Sequence, residues 1–241
     1  MACGVGFGGA VIKMTSIITN ENLCTVNEKV LSAAAMYAKG KIVPIFVIVP
    51  DRFTLTAEKL LLGTNPNLLN VRAVTFSMLY HTLAPADHKP LDKTRAVLFM
   101  WRAIRDVEAE LIYFRRVAHQ YAFAEKMFNT INQLQSSMAD FAKLESNARA
   151  GVTRDKMHDI SVIQRRYAEL TAEFTDGSGM LGWLIDNVAT SPVIRGAHVY
   201  LTGFEHLSLQ RTEVIRRIAA AAKSFTMGIR RGSELQEVLP L

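Results

Sequence analysis

The sequence predicts an α/β fold, a largely parallel, doubly wound sheet interrupted by a large all-helical block. Three observations carry that expectation. Residues 42–49 (IVPIFVIV) form a continuous apolar, β-branched run, the pattern of a strand buried on both faces, and such strands belong to parallel sheets covered by helices. Strand-like and helix-like segments alternate on either side of that run. No convincing strand then occurs between Lys93 and Val188, after which the alternation returns at His198.

The opening strand is read at 16–19 (SIIT). A helix follows over 26–39, where Val30, Leu31, Ala34, Ala35 and Ala38 recur at helical spacing and Gly40 supplies a stop. The strand at 42–49 contains Pro44, which is tolerated near a strand start or beside a bulge. A helix around 55–62, a strand around 71–75 and a helix opening near Ser77 complete this part.

The helical block shows three apolar stripes. One helix places Val97, Met100, Trp101, Ile104, Val107 and Leu111 on one face. A second carries Met127, Ile131, Leu134, Met138 and Phe141, and a third Ile160, Ile163, Tyr167, Leu170 and Phe174, both at heptad-like spacing. The short link at 146–151 predicts an antiparallel hairpin with these stripes as its core. A shorter helix follows Gly177-Ser178-Gly179 and ends before Pro192.

A strand at 198–202, a helix at 209–222 and a strand at 224–229 close the pattern. The expected organisation is a leader at 1–14, an α/β domain at 15–90, a helical insertion at 91–192, and the rest of the α/β domain at 193–241. Two sequential domains would leave the final two strands without a sheet of their own.

Composition narrows the function classes. Nearly half the residues are hydrophobic and 21% are charged, as in packed globular proteins. No apolar run approaches the roughly 20 residues needed to cross a bilayer, so no membrane partner is expected. Cys3 and Cys24 are the only cysteines and form no CxxC pair, which fits a reducing cytoplasm and argues against a disulfide framework. The six histidines form no metal-binding array. A net charge of +6 suits a polyanionic partner. Four arginine pairs (Arg115-Arg116, Arg165-Arg166, Arg216-Arg217, Arg230-Arg231) could meet phosphates, although ordinary solvated surface is the better account of any one of them.

Gly4, Gly6 and Gly9 match G-x-G-x-x-G in spacing but not in context. A dinucleotide fingerprint follows a strand and opens a helix, whereas here a strand-like stretch comes after it. A flexible leader is the simpler reading.

A phosphate loop, G-x-x-x-x-G-K-[ST], cradles phosphates with backbone N–H groups, neutralises them with lysine and holds magnesium with its hydroxyl. After SIIT this chain reads Asn20-Glu21-Asn22-Leu23-Cys24-Thr25-Val26-Asn27. Val26 falls at the lysine position and Asn27 at the Ser/Thr position, and the stretch has no glycine. The acidic pair of a later strand is missing as well. Thr202 and Gly203 stand where the two carboxylates belong, and Glu205 arrives too late. Asn20, Thr25, Val26, Asn27, Thr202 and Gly203 therefore read as a degenerate nucleotide site, with no catalytic residue, cofactor or metal assigned to this chain.

Three segments resemble a known family. They are Ile48-Val49-Pro50-Asp51-Arg52-Phe53-Thr54-Leu55-Thr56-Ala57-Glu58-Lys59-Leu60-Leu61, then Val74-Thr75-Phe76-Ser77-Met78-Leu79, then Tyr200-Leu201-Thr202-Gly203-Phe204-Glu205-His206-Leu207-Ser208. In order and spacing they are similar to signatures at the N-terminus of AddB/RexB subunits of bacterial ATP-dependent helicase–nucleases. The resemblance implies a P-loop NTPase-like sheet, of the superfamily 1 helicase first-domain type, turned from motor to DNA-handling scaffold. It implies a helicase–nuclease partner subunit, single-stranded DNA as ligand, and double-strand break repair by homologous recombination as setting. By position it makes Arg52, Thr75, Phe76 and Ser77 DNA-contact candidates, although Phe76 in the core and Thr75 and Ser77 as a helix cap explain the residues equally well.

Many relatives keep a glycine-rich loop with lysine at the first strand, and this chain departs from them there. ATP, magnesium and the family's iron–sulfur cluster are expected only in the full complex, the chain being a fragment or truncated product that is inactive alone. An ATPase with a divergent phosphate loop and a helical protein-interaction scaffold remain as alternatives.

Overall fold

In the computed structural model, residues 14–66, 68–85, 89–233 and 235 are described. Strands β1 (Met14–Asn20), β2 (Ile45–Ile48) and β3 (Val71–Val74) alternate with helices α1 (Leu23–Ala38), α2 (Thr54–Thr64) and α3 (Phe76–Leu83). The pattern resumes with β6 (His198–Leu201), α10 (Leu209–Ala221) and β7 (Ser224–Arg230). Among the described residues these five strands form one sheet in the order β1-β7-β6-β2-β3. Every neighbouring pair is parallel, so all five carboxyl ends open on one edge. The protein is thus α/β with a parallel sheet.

Burial explains the composition of the central strands. Every residue of β2 and of β6 is buried. On one face Ile45, Val47, Ala73 and Tyr200 pack with Val26, Val30, Leu31, Ala34 and Ala38 of α1 and Ala57 and Leu61 of α2. The alternate residues Phe46, Ile48, Val199 and Leu201 are buried too, as the two-residue period of a doubly covered sheet requires.

Buried His198 at the start of β6 is held on both ring nitrogens, Nε2 at 3.1 Å from the Tyr37 hydroxyl and Nδ1 at 2.6 Å from Ser224 Oγ. Burial, helped by the Lys223 and Lys41 ammonium groups, keeps its pKa below the ordinary histidine value.

The chain divides into two compact units. One runs to Leu83 and resumes over Leu184–Leu207 and from Arg211; it contains the sheet just described. The other spans Ala84–Trp183 with Ser208–Gln210. Its helices are α4 (Lys93–Asp106), α5 (Tyr121–Ser136), α6 (Phe141–Asn147) and α7 (Val152–Leu170). Their core gathers Val97, Met100, Ile104, Met127, Ile131, Ile160, Ile163 and Tyr167. Helix α8 (Gly177–Asn187) begins in this unit and ends in the first, and α9 (Pro192–Gly196) belongs to the first.

Several sequence expectations need correction. The strand expected at 42–49 begins only at Ile45, because Pro44 precedes the ladder and Ile42 is fully exposed. The second helical stripe is not one helix. α5 ends at Ser136, and Met138 takes φ 52° while its N–H bonds Gln135 O and the Ala139 N–H bonds Leu134 O. That is a Schellman stop built on methionine instead of glycine, so no residue signals it. Met138 is exposed and Phe141 opens α6.

The antiparallel hairpin is consequently α6–α7. Phe141 O accepts from Ser161 Oγ, and Glu145 meets His158 and Arg154. Phe174 leaves the helical stripe for β5 (Phe174–Thr175), a two-residue strand parallel to β4 (Lys89–Pro90). Those strands fall in and beside the block expected to be strand-free, and are too short to leave a pattern. Trp101 is 39% exposed and off the buried face of α4, and Val107 and Leu111 are buried beyond its end. Gly4, Gly6 and Gly9 lie outside the described residues.

Candidate functional site

The carboxyl edge of the sheet is where doubly wound domains hold nucleotides, since the turns after the strands and the helix N-termini converge there. Only Glu21 and Asn22 separate the end of β1 from the start of α1. The turn is closed by its own side chains. Asn20 Oδ1 accepts from Asn22 N–H at 3.0 Å, and Asn22 caps the helix by accepting from Cys24 N–H at 2.8 Å. Such a tight turn has no length left to wrap a phosphate chain.

Half-buried Thr25 and the buried Val26 and Asn27 lie in the first turns of α1. Val26 has no exposed surface and lies on Gly228 of β7. A Cβ at Gly228 would come 2.6 Å from Val30 Cγ2, 2.7 Å from Val26 Cγ1 and 2.8 Å from Thr202 Oγ1. Helix and strand approach this closely only because the strand residue has no side chain. Asn27 turns toward the end of β6, and its Oδ1 accepts a 2.8 Å hydrogen bond from the Thr202 hydroxyl. Val26, Asn27 and Thr202 are thus engaged in a packed contact and a neutral hydrogen bond.

Gly203 continues the same closure. It has φ 86°, and an added Cβ would meet Pro50 Cδ at 2.9 Å and Phe53 Cδ1 at 3.1 Å. The turns after β2 and β6 therefore press together over the crevice between those neighbouring strands. A carboxylate side chain at Gly203 has no space and the wrong backbone conformation. Residues missed by sequence reasoning here are Gly228 and Pro50. An isolated glycine inside the strand SFTMGIR was the available signal for the first.

The DNA-contact candidates lie on the same edge. Exposed Arg52 sits in a single 3-10 turn, Asp51–Phe53, after β2. Thr75 and Phe76 are buried, and Thr75 Oγ1 accepts from Met78 N–H at 3.2 Å, so it caps α3; Ser77 is exposed. The Phe76 ring lies 5.8 Å from that of Phe204, and the Arg211 guanidinium is 5.8 Å from the Phe76 ring centre. Arg230 ends β7 and Arg231 follows it, both exposed, with Arg231 N–H donating to Asn20 O. Exposed Glu21, Asp51 and Glu205 share the edge, so its charge is mixed.

Among the described residues no cluster of histidine, cysteine and carboxylate side chains has the make-up of a metal site, and no helix is long and apolar enough to cross a membrane. The donors that face the nucleotide position, an amide and a hydroxyl already bonded to each other, do not fit ATP with magnesium. A cysteine-ligated cluster does not fit Cys24, which is exposed with no neighbouring thiol described.

Comparison with known proteins places the chain. The family described as "ADDB, N-terminal" matches residues 28–236. Several relatives carry the name of the B-type subunit of an ATP-dependent helicase/deoxyribonuclease. One from Lactobacillus helveticus is 24% identical over 231 residues, covering 90% of this chain and 20% of the relative. One from Alkaliphilus oremlandii is 21% identical over 197 residues, covering 76% and 17%. One from Staphylococcus aureus (strain MRSA252) is 24% identical over the same length, with the same coverage. The chain spans about a fifth of the length of these relatives. With the family matched along nearly all of its described length, the chain belongs to the AddB N-terminal family.

Proposed function

We propose that this chain is a non-hydrolysing, helicase-like module that handles DNA and assembles with a helicase–nuclease partner in double-strand break repair. Its sheet is, in this reading, a P-loop NTPase-like domain of superfamily 1 type and residues 91–192 are its helical insertion. The observation that carries the proposal is the Thr202–Asn27 hydrogen bond beneath a two-residue β1–α1 turn. These groups take the position where a motor domain of this kind would bind triphosphate and magnesium. ATP, magnesium and the iron–sulfur cluster then belong to the rest of the complex, in a cytoplasmic setting.

DNA handling is supported by the open strand ends, where Arg52, Ser77, Arg230 and Arg231 are exposed. Phe76 is mostly covered, so its part is to hold Thr75 and Ser77 in place; base stacking falls to more exposed rings.

Equilibrium titration with a fluorescent ATP analogue and magnesium tests the nucleotide half. No saturable binding is expected, and micromolar affinity would favour the divergent ATPase. Titration with single-stranded DNA at several salt concentrations tests the other half. Affinity falling steeply with salt is expected, whereas no binding at any salt would favour a pure protein-interaction scaffold.

A further inference from the structure

After α4 the chain runs through residues 111–121 (LIYFRRVAHQY), with one 3-10 turn at Arg115–Val117, to Tyr121 at the start of α5, and one buried side chain fixes its course. Asp159 of α7 has no exposed surface. Its carboxylate accepts the backbone N–H groups of Ile112, Tyr113 and Phe114 at 2.8, 2.9 and 2.7 Å. A carboxylate removed from water is costly unless its lone pairs are filled, and three successive main-chain donors fill them. Phe114 turns inward, its ring 5.1 Å from Phe123, and both pack against the helical core.

What this pinned backbone presents outward is unusual for plain surface. Tyr113 stands edge-on to Phe114 at 4.9 Å and is 45% exposed, with Lys156 Nζ 4.6 Å from its ring centre. Ile112 is 57% exposed, and Arg115 and Arg116 are exposed beside it.

Three arginines of the other pairs are engaged in ion pairs. Arg216 and Arg217 both close on Glu213, and Arg166 closes on Asp106 and Glu169. Arg115 and Arg116 have no ion-pair partner among the described residues. Glu110 precedes the loop and Asp155 precedes Lys156 in sequence, but residues 111–121 contain no acid. An exposed aromatic ring, an aliphatic side chain and uncompensated guanidinium groups are thus held on a backbone that needs no further ordering.

We infer that residues 111–121, with Lys156, form a contact surface for single-stranded DNA within the helical unit. Arg115, Arg116 and Lys156 neutralise backbone phosphates, and Tyr113 offers its ring to a base. Stacking tolerates any sequence because every base has a π-face. Asp159 is a positioning residue: it touches no ligand, and it removes the ordering cost that a mobile loop would bring to binding. This inference rests on the DNA-handling half of the proposed function and assigns it a second contact site.

The test uses the whole chain and a fluorescently labelled oligothymidylate, with anisotropy read across a salt series. Single-strand affinity varies with salt by about 0.7 per phosphate neutralised on logarithmic axes, so Arg115→Ala with Arg116→Ala should flatten the slope by roughly 1.4. Tyr113→Ala should weaken binding about 10-fold with the slope kept. All three side chains are exposed, so circular dichroism melts should match the parent, separating loss of contact from loss of fold. If the parent binds and the double variant keeps the full slope, this inference fails and the proposed function stands. If the parent shows no binding, both fail. Preference for duplex, or a double variant that loses its helicase–nuclease partner while still holding DNA, would also overturn it.

Discussion

Thr202 Oγ1, at the end of β6, donates a 2.8 Å hydrogen bond to Asn27 Oδ1 in the first turns of α1, and both residues are buried. A strand-end hydroxyl and a helix amide thus meet directly. Removing either partner leaves the other desolvated and unbonded. Thr202→Val and Asn27→Leu are each expected to cost about 1–3 kcal/mol in urea unfolding. A double-mutant cycle between them should show coupling of at least about 0.5 kcal/mol, and strict additivity would mean the bond contributes nothing.

Placing phosphate-loop residues in the first turns of α1 should not create nucleotide binding. Val26→Lys would place an ammonium where the side chain has no solvent access, and the β1–α1 turn would still be too short. The expected result for Val26→Lys with Asn27→Thr is a destabilised protein, by about 3 kcal/mol or more, with no gain in binding of a fluorescent ATP analogue. Saturable binding by that variant would show that side chains, and not the turn, exclude the ligand.

Two glycines hold the sheet edge closed for different reasons. At Gly203, φ 86° and the contact with Pro50 Cδ make Gly203→Ala unfavourable in both backbone and packing, by about 1–3 kcal/mol. At Gly228 the backbone is ordinary, and the cost of Gly228→Ala comes from pushing Val26 and Val30 off the strand, again about 1–3 kcal/mol. Val26→Ala should recover part of the second loss and none of the first, as read by thermal melts of the single and double variants.

Asp159→Ala would orphan the N–H groups of Ile112, Tyr113 and Phe114 together. A loss of at least about 3 kcal/mol is expected, with faster amide hydrogen exchange at those three residues than in the core of α7. Protection unchanged at residues 112–114 would show that Phe114 packing alone holds the loop.

The pH dependence has a defined sign at His198. Its folded pKa lies below the ordinary histidine value near 6.5 because burial disfavours the cation, with Lys223 and Lys41 adding repulsion. The unfolded state therefore binds the proton more readily. Stability from this group is fully present above about pH 6.5 and is lost as the pH falls through the folded value. Urea midpoints measured from pH 7.5 downward should drop, and His198→Gln should flatten that part of the profile.

Much of the fold is readable from one dimension. The apolar run around β2, the helical spacing of α1 and the return of strands at His198 follow from local periodicity, because burial on a strand or a helix imposes a period that sequence records. The missing lysine, glycines and carboxylates at Val26, Asn27, Thr202 and Gly203 are equally plain, since they are identities at fixed spacing. What local pattern could not carry were the stop at Met138, made without glycine, and the two-residue strands β4 and β5.

Residue identities alone pointed to an α/β framework and showed a stretch after the first strand without the lysine and glycines of a phosphate loop. Only the folded chain decided what stands in their place. Asn27 and Thr202 are 175 positions apart, and Asp159 reaches a loop 45 to 47 residues away. Such pairings depend on which helix crosses which strand, and on how closely a glycine lets them approach. Packing of distant segments sets those distances, and no repeat along the sequence encodes them.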